Sequence, residues 1–171
     1  WLANEGHVTA AVRHLLAARA EDNAAYLIER HLPYALLNDP PAARQLLELL
    51  PMRIMEQRPR LMLDRALQAI LMGSYEAQAF VYQAGLVLQE QHLTLENAPE
   101  VNVQWLLFSS WVAYTEREWL RAWEYLLLVH SYEHLLSDTL RGLMYFLQMH
   151  LMRYEGRNVE MQRSATDALA A

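Results

Sequence analysis

The chain has 171 residues, 54% of them apolar and 20% charged, and its formal net charge is −6. Length and composition fit one folded domain over residues 1–171, and the acidic balance argues against nucleic-acid contact by this segment. Because the chain has no cysteine and all fourteen basic residues are arginine, thiolate catalysis, Cys-ligated metal centres, a Walker A lysine and Schiff-base chemistry are excluded.

Nine helices and no strands are predicted, because strong helix formers dominate the chain and no stretch alternates apolar and polar residues. Prolines at first helical positions and glycines after helix ends set their limits. The predicted helices span residues 8–19, 22–37, 41–50, 59–72, 75–91, 99–114, 118–136, 138–154 and 158–170. Asp39, Asn97 and either Ser137 or Asp138 are the predicted N-terminal caps.

The predicted helices recur in pairs. Gly6, Gly73, Arg117 and Gly156 each begin a similar segment, and the offsets between them are 67, 44 and 39 residues. Two of these offsets lie near the roughly 34 to 47 residues of tetratricopeptide and related repeats. We therefore predict an all-α fold of tetratricopeptide-like hairpins stacked into a right-handed superhelix, with a less regular insert at about 38–55.

An ordered set of residues over about 1–90 resembles a known family. Its first part is Trp1, Leu2, Gly6, Ala11, His14, Ala17, Ala18, Asp22, Ala24, Ala25, Leu27 and Glu29. Its second part is Leu49-Leu50-Pro51, Arg58-Pro59-Arg60-Leu61 and Gly73. The set is similar to the sensor hairpins of the large ATP-dependent LuxR-type (MalT-like) transcription regulators, whereas the sequence after Glu90 is a generic helical repeat.

The resemblance implies a cytoplasmic regulator with an NTPase, a winged-helix module, a helical-repeat sensor and a C-terminal helix-turn-helix, of which this chain would be the sensor. It implies that a small inducer or a protein effector binds the superhelix and biases an ATP-dependent oligomerisation step. The expected partners are that effector, the other domains of the regulator and, through the ends of the array, a second copy of the chain. No enzymatic activity, cofactor or membrane contact is expected. The alternative is a tetratricopeptide-like scaffold that binds only proteins.

Aromatic residues are densest between residues 105 and 125, and those of each helix repeat every three or four positions. In hairpin repeats the first helix of each pair lines the concave surface, so aligning the turns predicts which side chains lie there. The predicted ligand-binding residues are Gln104, Trp111, Tyr114, Phe146, His150 and Arg153, with Leu107 in the same register. We expect a small-molecule or peptide groove with an aromatic wall. The alternative is that these rings are core.

One local cluster of basic residues has two interpretations. It consists of Arg53, Arg58, Arg60 and Arg65. The cluster is a candidate docking surface for an acidic partner domain or a phosphate. Alternatively, it is a solvated face interleaved with Glu56 and Asp64.

His130 and His134 have the four-residue spacing that allows two histidines on one helix to chelate a metal ion. No HExxH motif or third ligand accompanies them, so we predict no metal site and interpret both as partly exposed histidines. A metalloprotein centred on this pair is the weakest of the three functional hypotheses.

Overall fold

The computed structural model describes residues 7–154 and Asp167, and all secondary structure in this part of the chain is helical. The chain divides into two compact units, Trp1–Val87 and Leu88–Ala171, where the sequence predicts one domain. No helix within the described residues is long and apolar enough to cross a membrane. The all-α prediction is confirmed for these residues, and the superhelix stays a prediction.

Eight of the predicted helices fall on described residues, and seven of them begin and end within two residues of their predicted limits. The first unit contains α1 (Val8–Ala17), α2 (Glu21–Asn38), α3 (Pro40–Leu49), α4 (Met52–Met55), α5 (Pro59–Leu71) and most of α6 (Ala77–Glu90). The second contains α7 (Pro99–Thr115), α8 (Trp119–Ser131), a 3-10 turn (Glu133–Leu135) and α9 (Asp138–Tyr154). The predicted helix 118–136 is wrong at its end, because α8 stops at Ser131 and the chain continues as the 3-10 turn. Of the predicted helix 158–170, Asp167 alone is among the described residues, so this prediction is not tested.

Helix α2 is the centre of the first unit, where it packs against α1, α3, α4 and α5. Ala24, Ala25, Ile28 and Leu32 are completely buried. The two alanines lie four and three residues before Ile28, and Leu32 lies four after it, so all four share one face of the helix. The two alanines allow close approach of a neighbouring helix, while burying each larger side chain contributes roughly 1.5–3 kcal/mol.

The insert at 38–55 is more regular than expected. It contains α3 and the single turn α4. Asp39 caps α3 as predicted, since its Oδ1 accepts a hydrogen bond from the Ala42 backbone N–H at 3.1 Å.

The predicted cap at Asn97 is wrong. Ala98 precedes α7, whereas the Asn97 side chain accepts from Thr94 N–H at 2.7 Å and donates to the His92 carbonyl at 2.9 Å. Its amide therefore organises the loop before α7, because a side chain that can both donate and accept satisfies two loop groups at once.

Helix α7 is the most deeply buried element of the second unit, where it contacts α8, α9 and the 3-10 turn. Ser110 is fully buried and its Oγ donates to the Ala122 carbonyl of α8 at 2.7 Å. The small side chains at Ser110 and Ala122 let the two helix backbones approach closely. Leu107 and Phe108 are also fully buried.

Four turns share one backbone conformation. Their central residues have positive φ angles: Arg19 (58°), Gly73 (66°), His92 (52°) and Arg117 (65°). At Gly73 the backbone N–H donates to the Ile70 carbonyl, and the next N–H donates to that of Ala69, which is the Schellman motif. The repeat predicted the equivalence of Gly73 and Arg117, whereas Arg19 and His92 carry no glycine signal. Gly6 and Gly156 lie outside the described residues.

A Cβ added at Gly73, or at Gly142 within α9, would meet no atom within 4 Å. Space therefore does not require glycine at position 73, whereas its positive φ angle does. We expect Gly73→Ala to lower the free energy of unfolding by about 1 kcal/mol, because alanine is strained at positive φ. Gly142→Ala is expected to raise it by roughly 0.5–1 kcal/mol, because alanine is the better helix former. Urea denaturation followed by far-ultraviolet circular dichroism measures both, and the same sign for the two variants would contradict the argument.

Candidate functional site

Six ring side chains from three helices meet in the second unit, and we call them the aromatic cluster. Its members are Trp111 and Tyr114 of α7, Trp119 of α8, and Phe146, His150 and Tyr154 of α9. Spacings of three on α7 and of four on α9 place the residues of each helix on one face. The cluster is therefore the line along which the faces of α7 and α9 meet beside the start of α8.

Two near-parallel ring pairs lie on either side of Tyr114. The rings of Trp111 and Phe146 are 6.1 Å apart at 20°, and those of Trp119 and Tyr154 are 4.2 Å apart at 23°. Tyr114 is edge-on to Trp119 at 5.5 Å and to Tyr154 at 6.4 Å. Each such pair contributes about 0.5–1.5 kcal/mol beyond area burial, so the rings stabilise the unit as well as shaping the surface.

The cluster is open to solvent along α9. Phe146 is 43% exposed and Tyr154 is 62% exposed, while Trp111, Tyr114 and Trp119 are partly exposed. Covering large exposed ring faces with a ligand is energetically favourable, because it removes apolar surface from water. The cluster is therefore a partly exposed surface as well as a packing contact between helices.

The polar groups of the cluster are uncharged at neutral pH. Tyr114 Oη lies 3.4 Å from His150 Nδ1. Burial raises the pKa of Tyr114, and burial together with the nearby Arg153 guanidinium lowers the pKa of His150. We assign the hydroxyl as donor to Nδ1, so the neutral imidazole carries its proton on Nε2.

The structure brings together four of the six predicted ligand-binding residues: Trp111, Tyr114, Phe146 and His150. A fifth, Arg153, is exposed and acts electrostatically on Tyr114 and His150.

The prediction is wrong for Gln104. This side chain is only 9% exposed, and Leu107 of the same register is fully buried. Both positions of α7 are covered by packing, so the concave surface predicted from the repeat register does not extend along the whole helix.

Sequence reasoning missed two members of the cluster. They are Trp119 and Tyr154, neither of which belongs to the predicted ligand-binding set. Tyr154 lies four residues after His150 and eight after Phe146, so extending the helical spacing on α9 would have found it. Trp119 carries no such signal, because the fold of the α7–α8 hairpin brings it to Tyr114.

The predicted docking cluster is divided among contacts within the first unit. Arg53 forms an ion pair with Glu21 at the start of α2. Arg58 binds Asp22 at 3.0 Å and Glu29 at 3.3 Å, both also on α2. These two arginines therefore tie α4 and the start of α5 to α2.

The other two arginines of the predicted docking cluster, Arg65 and Arg60, have different surroundings. The Arg65 guanidinium lies 5.0 Å from the centre of the Phe80 ring on α6, a cation–π contact. Arg60 is exposed and has no ion pair within the described residues. The alternative of a solvated face is wrong for Asp64, which is only 4% exposed, although Glu56 is exposed as expected.

His130 and His134 have different surroundings. His130 Nε2 lies 3.0 Å from Gln148 Oε1, and its Nδ1 lies 3.8 Å from Glu133, while His134 is exposed. Within the described residues no group of three or more histidines and carboxylates is placed to hold a metal ion.

Comparison of this chain with models of protein families, with curated proteins and with solved structures finds no match.

The two interpretations of the arginine cluster differ in stability effects. We expect Arg58→Gln to lower the free energy of unfolding by about 1 kcal/mol, because it breaks a half-buried contact with Glu29 and one with the exposed Asp22. Arg60→Gln is the matched control and is expected to change it by less than about 0.5 kcal/mol. Equal effects in thermal or urea denaturation would contradict the structural role of Arg58.

The lowered pKa of His150 makes the stability of the fold depend on pH. Below its ordinary pKa of 6.5, the unfolded chain binds a proton at this position more readily than the folded chain does. His150 therefore contributes stability above about pH 6.5 that is lost as the pH falls. We expect wild-type stability to decline more steeply between about pH 7 and 5 than that of His150→Gln.

The control for this experiment is His134→Gln, since His134 is exposed. It is expected to keep the wild-type pH slope. Parallel profiles for wild type and His150→Gln would show that burial of His150 does not couple to folding.

Proposed function

We propose that this chain is a sensor and protein-interaction segment of a cytoplasmic LuxR-type (MalT-like) transcription regulator, and that the aromatic cluster binds its effector. The observation that carries the effector site is a half-exposed set of stacked rings next to a neutral Tyr114–His150 pair. Ligand sites in proteins combine apolar and aromatic walls with a few convergent polar groups, which is the composition found here. The resemblance over residues 1–90 supports the regulator.

The arrangement of the rings supports a mechanism of differential binding. Rings from α7, α8 and α9 contact one another, so a ligand seated among them contacts all three helices. A ligand that prefers one packing of these helices raises the population of that packing by its ratio of affinities. A tenfold preference corresponds to about 1.4 kcal/mol, enough to bias the NTPase of the parent regulator between two states. No catalytic residue or cofactor is assigned to this segment.

A second candidate is a tetratricopeptide-like scaffold that binds only proteins. Apolar side chains outside the aromatic cluster favour it, because Leu120 and Leu127 on α8 are well exposed. The coding sequence around this segment distinguishes the two candidates. A Walker A motif upstream and a basic helix-turn-helix downstream are expected for the regulator, and their absence from the complete gene would favour the scaffold.

Ligand binding is tested by thermal melting and tryptophan emission of the chain against sugars, organic acids, aromatic metabolites and short peptides. We expect at least one compound to raise the melting temperature by several degrees, because a ligand at 100 times its Kd adds about 2.7 kcal/mol of stability. Emission is expected to shift, since Trp111 and Trp119 are part of the cluster.

Phe146→Ala is expected to abolish this response and to remain folded, because Phe146 is 43% exposed. Leu127→Ala is the matched control, an exposed apolar side chain outside the cluster that is expected to leave the response unchanged. A silent wild type across the whole panel, or a response kept in Phe146→Ala, would count against the effector site.

A further inference from the structure

The geometry points to a chemical class for the ligand of the aromatic cluster: we propose a planar aromatic anion, with its ring on the exposed ring faces and its anionic group at Arg153 and His150 Nε2. This inference rests on the proposed function and deepens it. It rests on Arg153 and His150 Nε2, which together we call the polar edge of the cluster.

The shape of the ligand follows from the rings. Trp111 and Phe146 are nearly parallel, and the exposed faces along α9 belong to Phe146 and Tyr154. Flat π-systems prefer offset stacked or edge-on contacts with other rings, so a planar aromatic body covers these faces best. A saturated apolar molecule would also bury apolar surface here, but it would not make the favourable ring–ring contacts.

The sign of the ligand's charge follows from the polar groups. Arg153 lies on α9 three residues after His150, a spacing that makes the two side chains neighbours on the helix surface, and its charge acts on both Tyr114 and His150. Its side chain is exposed to solvent and makes no ion pair within residues 7–154, so a ligand can reach the guanidinium. An arginine offers two parallel N–H groups, which match the two oxygens of a carboxylate.

His150 supplies a second donor on the same edge. With Nδ1 facing the Tyr114 hydroxyl, Nε2–H is directed away from that hydrogen bond, and no described residue accepts it. The edge therefore offers donors and a positive charge, without a described carboxylate to attract a cation. A cationic ligand would meet repulsion from Arg153, and a neutral sugar would leave the charge of the guanidinium unmatched.

A matched pair of probes isolates the charge: 2-naphthoate and its neutral amide, 2-naphthamide, have the same ring system. We expect 2-naphthoate to bind the wild-type chain about tenfold tighter than 2-naphthamide by calorimetric titration, since a charge-assisted bidentate contact is about twice as strong as a neutral one. Raising the ionic strength is expected to weaken only the naphthoate complex.

Arg153→Gln is expected to remove this preference by weakening 2-naphthoate about tenfold while leaving 2-naphthamide unchanged. Arg60→Gln, an exposed arginine of the first unit that also lacks an ion pair within the described residues, is the control and is expected to bind both probes as the wild type does. Equal affinities of the two probes, or equal losses of both in Arg153→Gln, would overturn the inference.

The outcomes separate this inference from the proposed function. If both probes bind equally and Phe146→Ala abolishes both, the aromatic cluster is an effector site and the anion preference is wrong. If neutral compounds of the panel bind and neither probe does, the anion preference again fails alone. If nothing binds, both the effector site and its ligand class are overturned.

Discussion

The close contact between α7 and α8 is the constraint on which the second unit depends. The hydrogen bond from Ser110 Oγ to the Ala122 carbonyl lies fully inside that contact, and a larger side chain at either position would force the helices apart. The tight turn at Arg117 then begins α8 two residues later, which places Trp119 edge-on to Tyr114. The aromatic cluster is thus a consequence of how closely the hairpin packs.

Arginine serves two different purposes in this chain. In the first unit Arg53 and Arg58 join α2 to α4 and α5 through carboxylates of α2, so their charges are neutralised within the fold. Arg153 has no such partner within the described residues and stands beside two neutral side chains. A charge next to neutral rings creates a local positive potential, which is the basis of the preference for an anionic ligand that we propose.

The proposals of a regulator and of an effector site rest on different parts of the chain. The resemblance to LuxR-type regulators covers residues 1–90, whereas every member of the aromatic cluster lies between residues 111 and 154. Each proposal therefore stands or fails on its own experiment. The coding context decides the first, and ligand binding with Phe146→Ala decides the second.

The sequence by itself determined the helices, because their signals are local: proline at Pro59 and Pro99, the cap at Asp39, and the positive-φ glycine at Gly73. It also placed the rings of α7 and of α9 on one face each. Only the tertiary structure decided that Gln104 is buried, that Trp119 and Tyr154 join the cluster, and that α2 takes up the charge of Arg58. Helical periodicity defines the faces of one helix, whereas the meeting of two faces depends on contacts between distant residues, such as the 36-residue separation between Tyr114 and His150.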